Sequence, residues 1–551
     1  MLTATLYLLA PEIVLVAVAV SIYLAGAFVP SPLAWRWIAL GGVVLAGACL
    51  LQSPASSLQP HPDVPLQMDS LSGYVRWLTL LSGMLLVLLA WRTLAGSDTP
   101  EYLGSLLLIV AGVMLAAEAK DLVLLFVALE LVSIPTYILL YLGRRDAASQ
   151  EAAAKYFYLS ILASAALLYG FSFLYGAAGS MDLREIRTRL MESAGEDPNG
   201  FLPLAAVGLV LVFGGLGFRI AAVPFHFYAP DVYQGTTHAN AAILSVAPKI
   251  AGLIALVRVV GIALAGVHSV AWPIAVVLAV LTMTLGNVLA LWQNNIRRLL
   301  AYSSIAHAGY MLIGLAVLMA PRIGPEGQWT GLEALLFYLA TYAVATIGAF
   351  AALAYLGPQR GEIDGVEELA GLAWTGGPVR PVLAWLIALF MLSLAGIPPL
   401  FGFWGKLAVF AGALSLGRLE SGVQPWFVAL AVIGVINSAI AAAYYLRIVA
   451  TMFFRLPLGT PPTRPDAGGT LTAAVGCAAL VVVLGLFPGL WLGQAERAAR
   501  GPVAVSAAPA LAPSATTPRP ALAPLATKPR PPVAPLSRPP VAPLSDPQPD
   551  S

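Results

Sequence analysis

The chain has 551 residues, 59% of them hydrophobic and only 10% charged, where an ordinary soluble domain carries about 25% charged residues. A soluble globular fold is excluded, and a mean hydropathy of +0.85, spread over nearly the whole length, points to many membrane spans rather than one anchor. Twenty-nine Lys and Arg against 27 Asp and Glu give a formal charge of +2, which offers no basic footprint for nucleic acid.

Apolar runs of about 17 to 25 residues between polar or Pro/Gly punctuation predict an all-α polytopic membrane protein. Fourteen helices are expected, at 4–26, 35–52, 74–93, 102–118, 121–142, 154–176, 202–223, 239–264, 270–292, 299–320, 331–356, 381–415 with a break, 426–453 and 470–493. The fourth and fifth nearly fuse across Glu118, Lys120 and Asp121, so thirteen is the competing count. Met1 to Ala10 has no positively charged n-region, and the first apolar run is expected to stay as a helix rather than be cleaved as a signal peptide. From about Gly501 the composition turns to Pro and Ala, with the octapeptide RPPVAPLS repeated in tandem at 530–537 and 538–545. Such a tail buries no core and is expected to be a disordered, polyproline-like extension, dispensable unless it docks a partner.

Loops after odd-numbered spans hold Arg36, Arg92, Arg144, Arg145, Arg297, Arg298, Arg360, Arg380, Arg455 and Arg464. Those after even-numbered spans hold chiefly Lys120, Arg184, Arg187, Arg189, Arg258, Arg322 and Arg418. The excess of basic residues in the first set marks the cytoplasmic face, which puts both termini on the outer face.

Two spans contain helix breakers. The seventh, FRIAAVPFHFYAPDVYQG, carries Pro224 and Pro230; the twelfth, LAGIPPLFGFWGK, carries Gly396, Pro398, Pro399, Gly402 and Gly405. Proline lacks a backbone donor and clashes with the preceding turn, so both helices should be interrupted in the membrane, which is tolerated only where the broken backbone lines a protein-buried or hydrated cavity. The breaks lie five spans apart. An odd offset inverts one unit relative to the other, so spans 4–8 and 9–13 read as two inverted five-helix repeats. The expected divisions are three N-terminal helices (1–98), the two repeats (99–268 and 269–455), a C-terminal helix (456–500) and the tail (501–551).

Charges deep in the membrane need a reason. Glu130 lies in DLVLLFVALELVSIPTYILL, Lys249 in AILSVAPKIAGLIAL beside Pro248, Lys406 just after the twelfth-span break and Arg219 just before the seventh. Lys155, near the start of the sixth span, could simply snorkel to the headgroups. One reading is a set of buried ion pairs that fix helix packing. The other is a proton relay: burial disfavours the charged forms of Lys and Glu alike, and each charge biases the next. Arg219 does not give up its proton and can act only electrostatically. His226 and His307 are possible relay members and His238 a weaker one. Cys49 and Cys477 each stand alone, and no dinucleotide fingerprint, P-loop or iron–sulfur ligand set is present, so this chain supplies no metal or cofactor site and electron chemistry must lie elsewhere.

Taken together, VPFHFYAPDVYQGT (223–236), SVAPKIAGLIALVRV (245–259), FVALELVSIPTYIL, EAAAKYFYL, NNIRRLLAYSSIAHAGYML (294–312) and LAGIPPLFGFWGKLAVF (394–410) resemble the antiporter-like membrane subunits of respiratory complex I, the bacterial NADH:quinone oxidoreductase. PDVYQG favours the subunit N branch over paralogues in complex I and in multisubunit sodium/proton antiporters. The resemblance covers roughly residues 5 to 495. It implies fourteen helices with two inverted units, a central line of charges, and a place in a bacterial inner membrane. By motif, Glu130 corresponds to the glutamate of the fifth helix, Lys155 to the lysine of the sixth, Lys249 to the central lysine of the eighth and Lys406 to the lysine of the twelfth. At the seventh the family usually has lysine, and this chain has Arg219. It further implies partners in the other membrane-arm subunits and, through them, a peripheral arm that carries NADH, FMN, iron–sulfur clusters and quinone. A cation/proton antiporter component and a non-pumping scaffold subunit are the competing functions.

Overall fold

The computed structural model of the chain describes residues 2–29, 31–52, 64–92, 98–144, 146–196, 202–321, 330–357, 362–416, 422–457, 463 and 468–507. Among them the structure is helical throughout, with only isolated bridges between loops. In chain order the helices are α1 (Leu2–Leu8), α2 (Ala10–Gly26), α3 (Pro32–Gln52), α4 (Ser70–Leu89), α5 (Thr99–Glu118), α6 (Leu122–Gly143), α7 (Ala147–Ala178), α8 (Leu183–Glu196), α9 (Leu202–Ile220) and α10 (Tyr228–Gly235). They continue with α11 (His238–Leu256), α12 (His268–Leu291), α13 (Ile296–Leu318), α14 (Gly331–Tyr355), α15 (Val379–Ala395), α16 (Phe401–Leu414), α17 (Gln424–Phe454), α18 (Gly468–Leu486) and α19 (Gly489–Ala507).

Twelve described helices are long and apolar enough to cross a membrane. Two further expected spans are the 17-residue α2 and the broken pair α15 and α16. Polar side chains set many of the starts by accepting the backbone N–H three residues on: Asp69 for α4, Asp121 for α6, Asp146 for α7, Thr237 for α11, Asn295 for α13 and Thr330 for α14. Asp146 explains why α7 begins at Ala147, ahead of the expected 154: the polar stretch SQE is helical because it is capped, not because it is apolar.

Both predicted breaks are present. α9 stops at Ile220, Ala221 takes a positive φ of 56°, and Pro224 follows in the turn before α10. Pro230 lies inside the short α10 instead of in the gap, where the first-turn position tolerates its missing donor. α15 ends at Gly396, whose φ of +89° suits glycine, and Pro398 and Pro399 precede α16.

Three findings depart from the sequence expectation. The amphipathic α8, with Leu183, Ile186 and Leu190 buried, lies between the sixth and seventh spans; it is too short and polar for a hydropathy window. The last span is followed after Pro488 by α19, which passes Gly501, so helix extends into the expected tail; residues 508–551 lie outside the described ones. Arg258 and Arg297 are not loop residues: they are 1% and 0% exposed and ion-paired inside the protein. A paired, enclosed arginine does not report on the headgroups, so neither belongs in an orientation count. Arg145, Arg322, Arg360, Arg418 and Arg464 lie outside the described residues.

At the centre, α11, α13 and α14 are enclosed by their neighbours along nearly their whole length. These three helices, with α6, α9 and α16, carry the polar groups described next.

Candidate functional site

Glu130 is the ninth residue of α6, and three residues on, Ser133 shares its face. Arg219, in the last turn of α9, reaches across: Nη2 donates to Glu130 Oε1 at 2.8 Å and to Ser164 Oγ at 3.2 Å, and Nη1 to Leu129 O at 3.0 Å. Nη1 also donates to Ser133 Oγ. Ser164 Oγ donates back to Glu130 at 2.6 Å. The guanidinium is buried and the carboxylate side chain is 23% exposed. A fixed planar cation therefore holds this carboxylate through a charge-assisted hydrogen bond, with two hydroxyls in support.

The same arginine abuts α11. A Cβ built on Gly252 would stand 3.1 Å from Arg219 Cβ, and Gly252 is three residues from Lys249, on the same face of the helix. Lys249 is 1% exposed. Its Nζ donates to Ser304 Oγ at 2.5 Å and to the Ser304 carbonyl, and lies 5.4 Å from the centre of the Tyr342 ring. Tyr342 O–H donates to the same Ser304 hydroxyl at 2.9 Å. Among the described residues no carboxylate pairs with Lys249, so nothing of opposite sign locks its proton in place.

One turn along α13 from Ser304 stands His307. Nδ1 is 2.7 Å from Tyr338 Oη and Nε2 is 3.0 Å from Tyr445 Oη, which in turn meets Ser303. Tyr338 leads to the second lysine: a Cβ on Gly405 would strike Tyr338 Cδ2 at 2.6 Å, and Gly405 precedes Lys406. Lys406 Nζ donates to Ala395 O at 2.8 Å, at the C-terminal end of α15, and sits 5.1 Å from the Tyr310 ring centre. The orphan carbonyls of a broken helix are a natural seat for an ammonium. Gly396 permits this seat, because a Cβ there would stand 2.8 Å from Lys406 Cδ.

Five of the expected residues, Glu130, Arg219, Lys249, His307 and Lys406, thus fall along a line of polar groups made of separate hydrogen-bonded segments, Glu130–Arg219, Lys249–Ser304, His307–Tyr338 and Lys406–Ala395, with no described hydrogen bond from one segment to the next. Lys155 does not. Its side chain is 39% exposed and bridges Glu151 at 2.6 Å and Asp231 at 2.9 Å. Asp231 also accepts from Arg298 at 2.5 Å. Lys155, Glu151 and Asp231 line a pocket of about 240 Å³ with Gln234, near the start of α11, where His238 N donates to Glu362, the partner of Arg297. His226 lies in the turn between α9 and α10, its buried Nδ1 without a hydrogen-bond partner, and makes no described bond to the track. His238 is buried, with Nε2 3.0 Å from Ile363 O.

Sequence reasoning missed the tyrosines and, apart from Ser133 beside Glu130, the serines of the track, which are ordinary residues in apolar helices, and an acid–arginine cluster formed by Glu12, Arg76, Glu118, Asp69 and Arg258. The signal for the cluster was present: Arg76 and Arg258 both fall inside the apolar runs at 74–93 and 239–264. Among the described residues no group of three or more His, Cys, Asp or Glu is placed to hold a metal ion. The two cysteines, on α3 and α18, are free thiols.

Apolar along its helices and charged at its centre, the molecule is an integral membrane protein of the antiporter-like type. The profile described as NADH:quinone oxidoreductase/Mrp antiporter, transmembrane, matches residues 119–441, and the chain belongs to that family. A protein of Trichlorobacter lovleyi named NADH-quinone oxidoreductase subunit N is 36% identical, the match covering 89% of this chain and 95% of that protein. NADH-quinone oxidoreductase subunit N 2 of Roseiflexus castenholzii is 42% identical over 77% of this chain and 82% of its own length. Among solved structures, a chain of respiratory complex I from Thermus thermophilus aligns at a TM-score of 0.71 and 34% identity, over 88% of this chain and 98% of that one.

Proposed function

We propose that this chain is the proton-translocating membrane-arm subunit N of a bacterial NADH:quinone oxidoreductase, and that protons move through Lys249 and Lys406. The observation that carries the reading is the pair of enclosed lysines, neither paired with a carboxylate among the described residues, with Ser304, His307 and Tyr338 placed between them. Serine, histidine and tyrosine side chains both donate and accept, so a proton can pass along such a line by successive hydrogen-bond exchange. Glu130 and Arg219 bias it. When Glu130 neutralises the guanidinium, Lys249 tolerates a proton; when that neutralisation weakens, the uncompensated positive charge of Arg219 drives the proton onward toward His307 and Lys406. Arg219 itself stays charged throughout.

In this reading Lys155 is a charge at the mouth rather than a station on the track, held with Asp231 where the pocket opens. Spans 4–8 and 9–13, residues 99–268 and 269–455, act as two half-channel units, with residues 1–98 and 456–500 packed beside them. The membrane is the bacterial inner membrane, with both termini on the outer face. In this reading partner subunits carry the sites for NADH, FMN, iron–sulfur clusters and quinone. The work of this subunit is electrostatic and conformational.

The test is Lys249→Ala in sealed membrane vesicles, with quinone-reductase activity and proton uptake measured together and assembly checked on native gels. Joint loss of both activities in assembled complex supports the relay. Unchanged uptake refutes it and leaves a scaffold, whereas transport that depends on sodium at fixed pH favours a cation/proton antiporter.

A further inference from the structure

A second group of buried charges lies where α5 ends, away from the track. Glu118 is the last residue of α5 and is 0% exposed. Facing it are Glu12 from the first turn of α2, Arg76 from α4, Asp69 at the cap of α4, and Arg258 from the π-helical extension of α11 (Val257–Ala263). Lys120 and Asp121 follow it in the chain. Lys120 pairs with Asp182 at 3.1 Å, and Asp121 caps α6.

The described hydrogen bonds of this group's arginines go to acceptors other than Glu118, and Arg258 Nε is buried without a partner. Arg76 Nε and Nη2 donate to the two oxygens of Glu12 at 2.9 and 2.8 Å, and Nη2 also to Leu8 O at 3.0 Å. Arg258 Nη1 and Nη2 grip Asp69 at 2.6 and 2.8 Å, with Ala117 O at 2.6 Å. Glu118 Oε1 lies 2.7 Å from Arg76 Nε, but the single hydrogen on that nitrogen points at Glu12. Both oxygens of Glu118 are buried without a hydrogen-bond partner. Three carboxylates thus share two guanidiniums, and the one left without a donor sits at the negative end of a helix, where an ionised carboxylate is least favoured.

We propose that Glu118 carries a proton in the resting protein and that Glu12, Arg76 and Glu118 form a second proton-binding site, outside the lysine track. It lies at the end of α11 opposite the Asp231–Lys155 mouth. The bond formed and broken is one carboxyl O–H. The proton comes from water at that face, where the side chains of Asp69 and Lys120 are 14% and 21% exposed, and it returns there. One proton makes the cluster neutral, and a buried carboxylic acid needs no counter-ion.

The experiment is pH-dependent infrared difference spectroscopy of the whole complex in lipid nanodiscs. Wild type should show, at neutral pH, a carboxylic-acid carbonyl band that shifts in heavy water and is absent in Glu118→Gln. Glu12→Gln should also remove it, because Arg76 then pairs with an ionised Glu118. A band unchanged in Glu118→Gln overturns the proposal. Should that variant fail to assemble, Glu118→Asp must move the band, and an unmoved band overturns it equally. The readout is protonation, not transport, so it stands apart from the track. Lys249→Ala should leave the band in place, and its loss there would show that the two sites are one.

Discussion

Arg219 is the cation that holds Glu130, and the structure sets what each replacement should do. Arg219→Ala removes four hydrogen bonds, to Glu130, Ser164, Ser133 and Leu129 O. It leaves Glu130 with the Ser164 hydroxyl at 2.6 Å. Removing one partner of a buried pair costs about 3–5 kcal/mol. The carboxylate is 23% exposed, which places this case at the lower end, about 3 kcal/mol, or roughly 100-fold in any equilibrium that requires the pair ionised. Arg219→Lys keeps the charge and offers three donors, so one or two hydrogen bonds are lost, about 1–3 kcal/mol in all. Proton uptake and quinone-reductase activity in sealed vesicles, normalised to assembled complex on native gels, should therefore survive in Arg219→Lys and collapse in Arg219→Ala. Full uptake by assembled Arg219→Ala complex would refute the electrostatic role argued for this residue.

Other perturbations test separate parts of the track. Gly396→Ala forces a side chain onto a φ of +89°, a strain of about 1–2 kcal/mol, and pushes Lys406 from its carbonyl seat; assembled complex should pump at least about tenfold more slowly, and normal pumping would show that the seat is unimportant. His307→Phe deletes both bonds to tyrosine hydroxyls and should lower uptake more than His307→Gln, which can keep one; equal rates in the two variants would remove His307 from the line. Asp231→Asn removes the carboxylate shared by Lys155 and Arg298 at the mouth, leaving Lys155 with Glu151 and Arg298 with Gln234; exposed pairs there contribute about 0–1 kcal/mol. Assembly should be intact and the uptake rate altered in a salt-dependent way, which stopped-flow measurements at two ionic strengths would reveal. Gly309→Ala places a Cβ 2.4 Å from the Met283 backbone nitrogen; backbone yields less readily than a side chain, so overpacking of about 1–3 kcal/mol should appear as reduced assembly on native gels.

What the sequence made legible was whatever a single run of residues encodes. Apolar length found the spans, and Pro and Gly found both breaks, because each acts through its own backbone. Glu130, Lys249 and Lys406 stood out because a charge inside an apolar run is costly wherever it folds. Pairings stayed hidden. Arg219 and Glu130 are 89 residues apart, and nothing local in either segment names the other. Ser304, Tyr338 and Tyr445 carry the track yet look like ordinary helix residues, since their role depends only on where α13, α14 and α17 converge. Lys155 matched the family motif, but its exposure depends on Asp231 in α10 and on a cap at Asp146 that starts α7 early. Arg258 and Arg297 looked like loop markers because a basic residue at the end of an apolar run usually faces headgroups; here Asp69 and Glu362 draw them inside.

α11 and its π-helical extension show why those arginines matter. The span 238–263 is apolar and, like α13 and α14, fully enclosed, yet it is charged at three levels. At its start, the His238 backbone N–H donates to Glu362, which Arg297 holds. Past the helix end, Arg258 is clamped by Asp69. Between them, Lys249 has hydroxyl, carbonyl and ring contacts but no acid. Ions that are paired at both ends are fixed in charge, because separating either pair would leave a naked ion in a dry interior. The midpoint carries no such lock, so among the charges on this helix Lys249 is the one whose charge can change at low cost. In the proposed relay, a helix built this way keeps its position through its ends while Lys249 at its centre gains and loses a proton, which is what a subunit that moves protons without carrying electrons requires.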